Sequence, residues 1–152
     1  MNTDRTKYLK WKRKNVTLRG MRELGVENGG SASLGRGLYT ACLSNRAMAR
    51  QYGKVYFIVG GIPQKPKVFC TLLDAENWIY KVVKGYCEQQ GQAYSINYFY
   101  EHTSLEKEIM ALGYDGIIIK GREMVHYNPE NIQYYENERT LYQYYEYCVY
   151  EK

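Results

Sequence analysis

An α+β fold is predicted for this chain of 152 residues on three observations. Short β-branched or apolar runs stand at both ends, helical periodicity lies between them, and a late pair of strands meets at a tight turn, Gly121-Arg122. A doubly wound parallel sheet would instead alternate strand and helix throughout. The length suits one domain, taken as 1–152, because domains cluster near about 100–150 residues.

The elements follow in order. Residues 1–14 form a basic arm in which Arg5, Lys7, Lys10, Lys12, Arg13 and Lys14 surround Tyr8 and Trp11. With little apolar periodicity, a solvated and partly frayed terminus is expected there. Val16-Thr17-Leu18-Arg19-Gly20 reads as a first strand, and the glycine-rich residues 25–37 as a flexible loop. Leu38 to Ala41 is a short extended segment. Ser44 is expected to cap a helix that runs through Tyr52 and is closed by Gly53. Val55 to Val59 is a strand, 62–66 a turn, and Lys67 to Leu72 another strand.

Asp74 is expected to cap a longer helix, in which Trp78, Ile79, Val82, Val83, Tyr86 and Cys87 paint one face of a 3.6-residue period. A linker (89–92) and an aromatic patch (Tyr94, Tyr98, Phe99, Tyr100) follow. Thr103 and Glu106 then form a capping box for a helix ended by Gly113. Gly116 to Lys120 and Glu123 to Tyr127 form a hairpin, and Ile132 to Tyr135 offers a third strand. The Tyr-rich, acidic tail 136–152 is expected to pack on the domain as a terminal strand or helix.

The charge distribution is uneven. Residues 1–70 carry 14 Lys/Arg against 3 Asp/Glu, and residues 71–152 carry 7 against 13, so a net charge of +5 conceals two halves of opposite sign. No run approaches the ~18 apolar residues of a membrane span, and the N-terminal stretch is basic and polar where a secretory signal would be apolar. A cytoplasmic protein without membrane attachment is expected. Cys42, Cys70, Cys87 and Cys148 are widely spaced without a Cys-x-x-Cys pair, and His102 and His126 are the only histidines. Reduced thiols are therefore expected, with no metal site.

Three segments join a backbone constraint to a polar side chain. Arg19-Gly20 puts a planar, permanently charged donor beside a residue that lets a ligand approach the main chain. Gly35-Arg36-Gly37-Leu38-Tyr39-Thr40-Ala41 lacks the Gly-Lys-Ser/Thr of a Walker loop, but it ends in a tyrosine whose ring can form one wall of a slot for a flat ligand. Glu123 opens a strand that is otherwise apolar or aromatic, where carboxylates are depleted.

Together these segments resemble the ADP-ribosyltransferase superfamily, in particular its small bacterial and phage-encoded transferases and, more remotely, the poly(ADP-ribose) polymerase-type catalytic domain. The residues that carry the resemblance are Arg19-Gly20, Gly35-Arg36-Gly37-Leu38-Tyr39-Thr40 and the run GYDGIIIKGREMVHYNPENI that contains Glu123. It covers about residues 15–135, and the last block is the most specific. The resemblance implies a split β-sheet core with inserted helices, NAD as co-substrate without a metal, and a role as a toxin or phage-conflict effector.

It also implies site roles. Gly20 would hold the nicotinamide carboxamide through its backbone, and Arg19 would contact the ADP portion. Tyr39 would stack on the nicotinamide ring, with Tyr52 as a second wall. Glu123 would accept a hydrogen bond from the 2′-hydroxyl of the nicotinamide ribose.

Departures from the family pattern narrow the expectation. Arginine-modifying members carry a second Glu two residues before the catalytic one, where this chain has Gly121, so arginine is disfavoured as acceptor. Polymer-forming members have His at the first position, and Arg19 favours transfer of a single unit. A 2′-phosphotransferase branch lacks the late Glu. Basic residues interleaved with Tyr8 and Trp11 lean the acceptor toward RNA or DNA, attracting phosphates and offering stacking planes. The alternatives are a protein acceptor and an inactive binding module on the same fold. An antitoxin or immunity partner could use the Tyr-rich tail, since tyrosine is enriched in interfaces.

Overall fold

In a computed structural model, described over residues 3–22 and 33–151, the apolar run after the basic segment forms the strand around which the sheet is organised. β1 (Val16–Met21) pairs antiparallel with β3 (Lys54–Val59) over six residues. On its other side β1 meets β2 (Leu38–Ala41) through one register pair, Leu18 with Ala41. Beyond β2 lie β6 (Glu123–His126), β5 (Gly116–Ile119) and β4 (Pro66–Phe69), and β7 (Gln133–Tyr135) closes the opposite edge on β3. The seven-stranded sheet is mixed: β4 and β5 run parallel and every other pair is antiparallel. The single β1–β2 pair divides it into a four-stranded and a three-stranded half.

One face of this sheet carries both hydrophobic cores. Alternation along the strands puts Val16, Leu18, Ala41 and Phe57 on that face in one half and Phe69, Ile117, Ile119 and Val125 on it in the other. The second group is covered by α3 (Leu72–Gln89), α4 (Ile96–His102) and α5 (Leu105–Ala111) through Val83, Cys87, Phe99, Leu105 and Ile109, all fully buried. The first group is covered by α1 (Thr3–Asn15), α2 (Arg46–Arg50) and α6 (Glu138–Glu146) through Tyr8, Ala49, Leu141 and Tyr145. A π-helical turn, Tyr147–Glu151, follows α6.

Several sequence expectations shift. The N-terminal segment expected to fray is the helix α1. Tyr8 is 5% exposed, its ring lies 4.9 Å from that of Tyr142 and 5.3 Å from that of Tyr145, and Trp11 lies 5.2 Å from Tyr145. The packing partners are more than 130 residues away, which is why local periodicity does not announce the helix. The helix caps move by one to three residues. Asn45, not Ser44, caps α2, which ends before Tyr52; Thr71, not Asp74, caps α3; Ser104, not Thr103, caps α5. In each case the cap's side chain accepts a main-chain N–H that the first helical turn leaves unpaired.

The aromatic patch at 94–100 is largely α4, capped by Ser95. β4 ends at Phe69 because Thr71 already begins the cap of α3. The strand expected at Ile132 to Tyr135 is present as β7, and after Asn131, at φ 56°, it pairs with β3. The tail is helical. Of the glycine-rich loop, residues 25–32 lie outside the described residues.

Candidate functional site

Where β1 meets β2 and β2 meets β6, Arg19, Tyr39 and Glu123 come to neighbouring strand positions. Across β2 and β6, Ala41 pairs with Glu123 and Tyr39 with Val125, so Tyr39 and Glu123 stand on the same face, two residues apart along the ladder. The Glu123 side chain retains 21% exposure, and its Oε1 lies 3.6 Å from Nε of Arg122. The turn that precedes it is fastened to the segment leading into α2. Cys42 N–H donates to the carbonyl of Arg122 (3.1 Å), and Asn45 Nδ2 donates to that of Gly121 (3.3 Å). Burial pushes the Cys42 thiol up, and the Glu123 charge adds to it, so Cys42 stays protonated beside this turn.

Arg19 alternates to the other face of β1, and its Nη1 donates to the Tyr39 carbonyl oxygen at 2.6 Å. A permanent cation thus ties β1 to β2 just past their single ladder pair. Gly20 is buried beneath α2. A Cβ there would lie 1.7 Å from the Ala49 carbonyl oxygen and 3.3 Å from Gly53 N, so only glycine lets α2 and the turn after it settle on β1. Tyr52 sits in that turn, 46% exposed, immediately before Gly53 at φ 126°.

Tyr39 is more constrained than the sequence implies. Its hydroxyl donates to the carbonyl of Gly35 (2.5 Å) and accepts from Leu34 N–H (3.1 Å), while its ring packs against the core under α3 to α5. Tyr127 donates from its own hydroxyl to the Leu34 carbonyl at 2.6 Å. Glu106 accepts from Arg36 N–H at 3.0 Å. Burial pushes both phenols above their ordinary value. For Tyr39 the Leu34 N–H offsets part of that rise, while the charges of Glu123 and Glu106 add to it. Both phenols therefore stay protonated and act as donors that pin residues 34–36 against α5 and β6.

Tyr127 and Glu106 were missed as positioning residues. Tyr127 directly follows the strand that Glu123 opens, and the alternation 123, 125, 127 places it on the same face. That alternation was the available signal.

The described residues place Tyr39 and Glu123 on one face, bring Arg19 to them through the β2 main chain, and put Gly20 and Tyr52 under and beside α2. A cleft of about 420 Å³ lies to the side of this group. It is lined by Thr6, Leu9, Lys12 and Arg13 of α1, Leu18, Leu43, Arg46 and Phe57 of the sheet and α2 region, and Glu138 of α6. Among the described residues no cluster of His, Cys, Asp and Glu could hold a metal ion, and no helix is long and apolar enough to cross a membrane. No protein-family model, curated protein or solved structure matches this chain.

Proposed function

We propose that this chain is an NAD-dependent mono-ADP-ribosyltransferase with an ADP-ribosyltransferase-like split sheet, acting as a toxin or phage-conflict effector. The observation that carries the reading is the placement of Glu123. It is a partly exposed carboxylate on an inner strand, on the same face as Tyr39, at the division of the sheet where Arg19 reaches the Tyr39 main chain.

Cleavage of the nicotinamide–ribose bond leaves positive charge on C1′ and its ring oxygen as the bonding pair departs with nicotinamide. A fixed carboxylate that accepts a hydrogen bond from the ribose 2′-hydroxyl gains interaction energy as that charge grows, which lowers the barrier more than it stabilises the ground state. The acceptor then attacks C1′ from the opposite face and gives up its proton. In this reading Arg19 faces the pyrophosphate as a planar cation, the Gly20 main chain holds the carboxamide, and Tyr39 and Tyr52 flank the nicotinamide.

The test is transfer of label from adenylate-labelled NAD to macromolecules of a bacterial lysate, with wild type and Glu123→Gln compared. The expected outcome is labelled product with wild type and a loss of at least about a hundredfold in Glu123→Gln, the scale of losing one group aimed at developing charge. The melting temperature should be unchanged. Equal labelling by the two proteins overturns the mechanism, and absence of label with either favours a binding module. Mass spectrometry of the labelled product names the acceptor.

A further inference from the structure

The N-terminal helix has two unlike faces. Tyr8 and Trp11 face α6, where the Tyr8 hydroxyl donates to Glu138 Oε2 (2.6 Å) and Lys12 forms an ion pair with the same carboxylate. Tyr8 is consumed by this packing and is not a stacking plane for a ligand, contrary to the expectation from composition, while Trp11 is half-buried beside it.

The outward face is a stripe of cations. Lys7, Lys10 and Lys14 recur at i, i+3 and i+7, which aligns them within one arc of the helix over about 10 Å. All three are exposed, as is the neighbouring Arg13, and none of the four has a carboxylate at ion-pair distance among the described residues. Like charges held this close repel one another, and a polyanion relieves that repulsion.

The stripe borders the cleft. Arg13 of α1 and Arg46 of α2 both line it, together with Leu9, Leu43 and Phe57 and the Lys12–Glu138 ion pair. The segment that supplies Leu43 and Arg46 to the cleft is also tied to the turn before the candidate carboxylate: Cys42 N–H and Asn45 Nδ2 donate to the carbonyls of Arg122 and Gly121.

From this juxtaposition we infer that α1 and the adjoining cleft form a docking surface for single-stranded nucleic acid. The phosphates lie along Lys7, Lys10 and Lys14, and one unpaired base enters the cleft that Arg13 and Arg46 help to line. Charge complementarity selects a polyanion. A cleft of about 420 Å³, whose lining joins Leu9, Leu43 and Phe57 to the charged Lys12, Arg13, Arg46 and Glu138, has room for an exposed base, which a duplex keeps stacked inside. As an assignment of acceptor class this rests on the transferase reading, but binding is measured without NAD, so the two can fail separately.

The experiment is fluorescence anisotropy of a labelled single-stranded 12-mer DNA of mixed sequence, its RNA counterpart, the 12-base-pair duplex and a polyglutamate peptide. The full chain is compared with Lys7→Gln/Lys10→Gln/Lys14→Gln, the corresponding triple Glu variant, and Arg46→Ala. None of these side chains takes part in the Tyr8–Trp11–Glu138 packing, and circular dichroism verifies that the variants stay folded.

Single strands should bind the wild type more tightly than the duplex does. The triple Gln variant should lose about tenfold or more, with the slope of log affinity against log salt reduced by about 2, which corresponds to three lost phosphate contacts. Arg46→Ala should weaken single strands and leave the duplex unchanged. Undiminished binding by both triple variants, tighter binding of the duplex, or tighter binding of polyglutamate than of the oligonucleotides overturns the inference.

Discussion

Gly20 approaches the main chain of Ala49 so closely that a Cβ would lie 1.7 Å from the carbonyl oxygen and 2.8 Å from the carbonyl carbon. This contact seats α2 and the turn carrying Tyr52 on β1. Both opposing atoms belong to the backbone, so no side-chain rotation relieves the clash.

Gly20→Ala should therefore destabilise the fold by about 3 kcal/mol, at the upper end of overpacking costs, and lower the melting temperature by several degrees. Gly85 gives the opposite sign. It lies inside α3, and a Cβ there meets nothing within 4 Å, so Gly85→Ala should stabilise by about 0.5–1 kcal/mol through helix propensity. Thermal melting of the two variants checks both signs, and a neutral Gly20→Ala would mean that α2 does not rest on β1 as described.

Tyr39 and Tyr127 hold the same short segment from two sides. Tyr39→Phe removes a donor to Gly35 and an acceptor from Leu34 N–H, and Tyr127→Phe removes a donor to the Leu34 carbonyl. Each should cost about 1–3 kcal/mol through the polar groups left unpaired. The two should separate by site: hydrogen exchange at the Leu34 amide should accelerate in Tyr39→Phe, because only that variant loses its direct acceptor. Unchanged protection of this amide would show that the tyrosine hydroxyl does not anchor it.

The contact between α1 and α6 should depend on pH. Burial alone would raise the Glu138 carboxyl, but hydrogen bonds from Lys12 and Tyr8 and the charges of Lys12 and Arg5 outweigh it and hold it below the usual value. A carboxyl lowered in the folded state contributes stability above its unfolded pKa, and that contribution disappears as the pH falls through the folded value. The melting temperature of wild type should exceed that of Glu138→Gln at neutral pH, and the difference should close as the pH falls below about 4.3. A difference that persists to pH 2 would assign Glu138 a role other than this ion pair.

Much of the strand and helix content was accessible from local sequence. β1, β2, β3, β5 and β6 were anticipated because short apolar, β-branched or aromatic runs next to turn residues encode them within four to six residues. α3 was anticipated from the spacing of Trp78, Ile79, Val83 and Cys87. Cap positions were displaced because Ser, Thr, Asn and Asp cluster at helix starts and compete for the role, and the choice among Ser44 and Asn45, or Thr71 and Asp74, depends on where the preceding strand releases the chain. The candidate residues Arg19, Gly20, Tyr39, Tyr52 and Glu123 were picked out by motif, but their relationships were not. That Arg19 donates to the Tyr39 carbonyl, and that the Tyr39 hydroxyl is engaged by the loop, depends on strand register.

By itself, then, the amino-acid sequence determined the local elements, the basic and acidic halves, and which side chains have chemistry suited to a phosphate or a sugar. The tertiary structure alone decided that the basic segment is a helix, that β7 crosses to the edge beside β3, and that Lys12 and Arg13 of α1 line a cleft shared with Leu43 and Arg46. The physical reason is range. Alternation, capping and turn preference act over a few residues and are written where they act, whereas α1 is held by Tyr142, Tyr145 and Glu138 from the other end of the chain, and contacts of that kind exist only once the sheet has brought both ends onto one face.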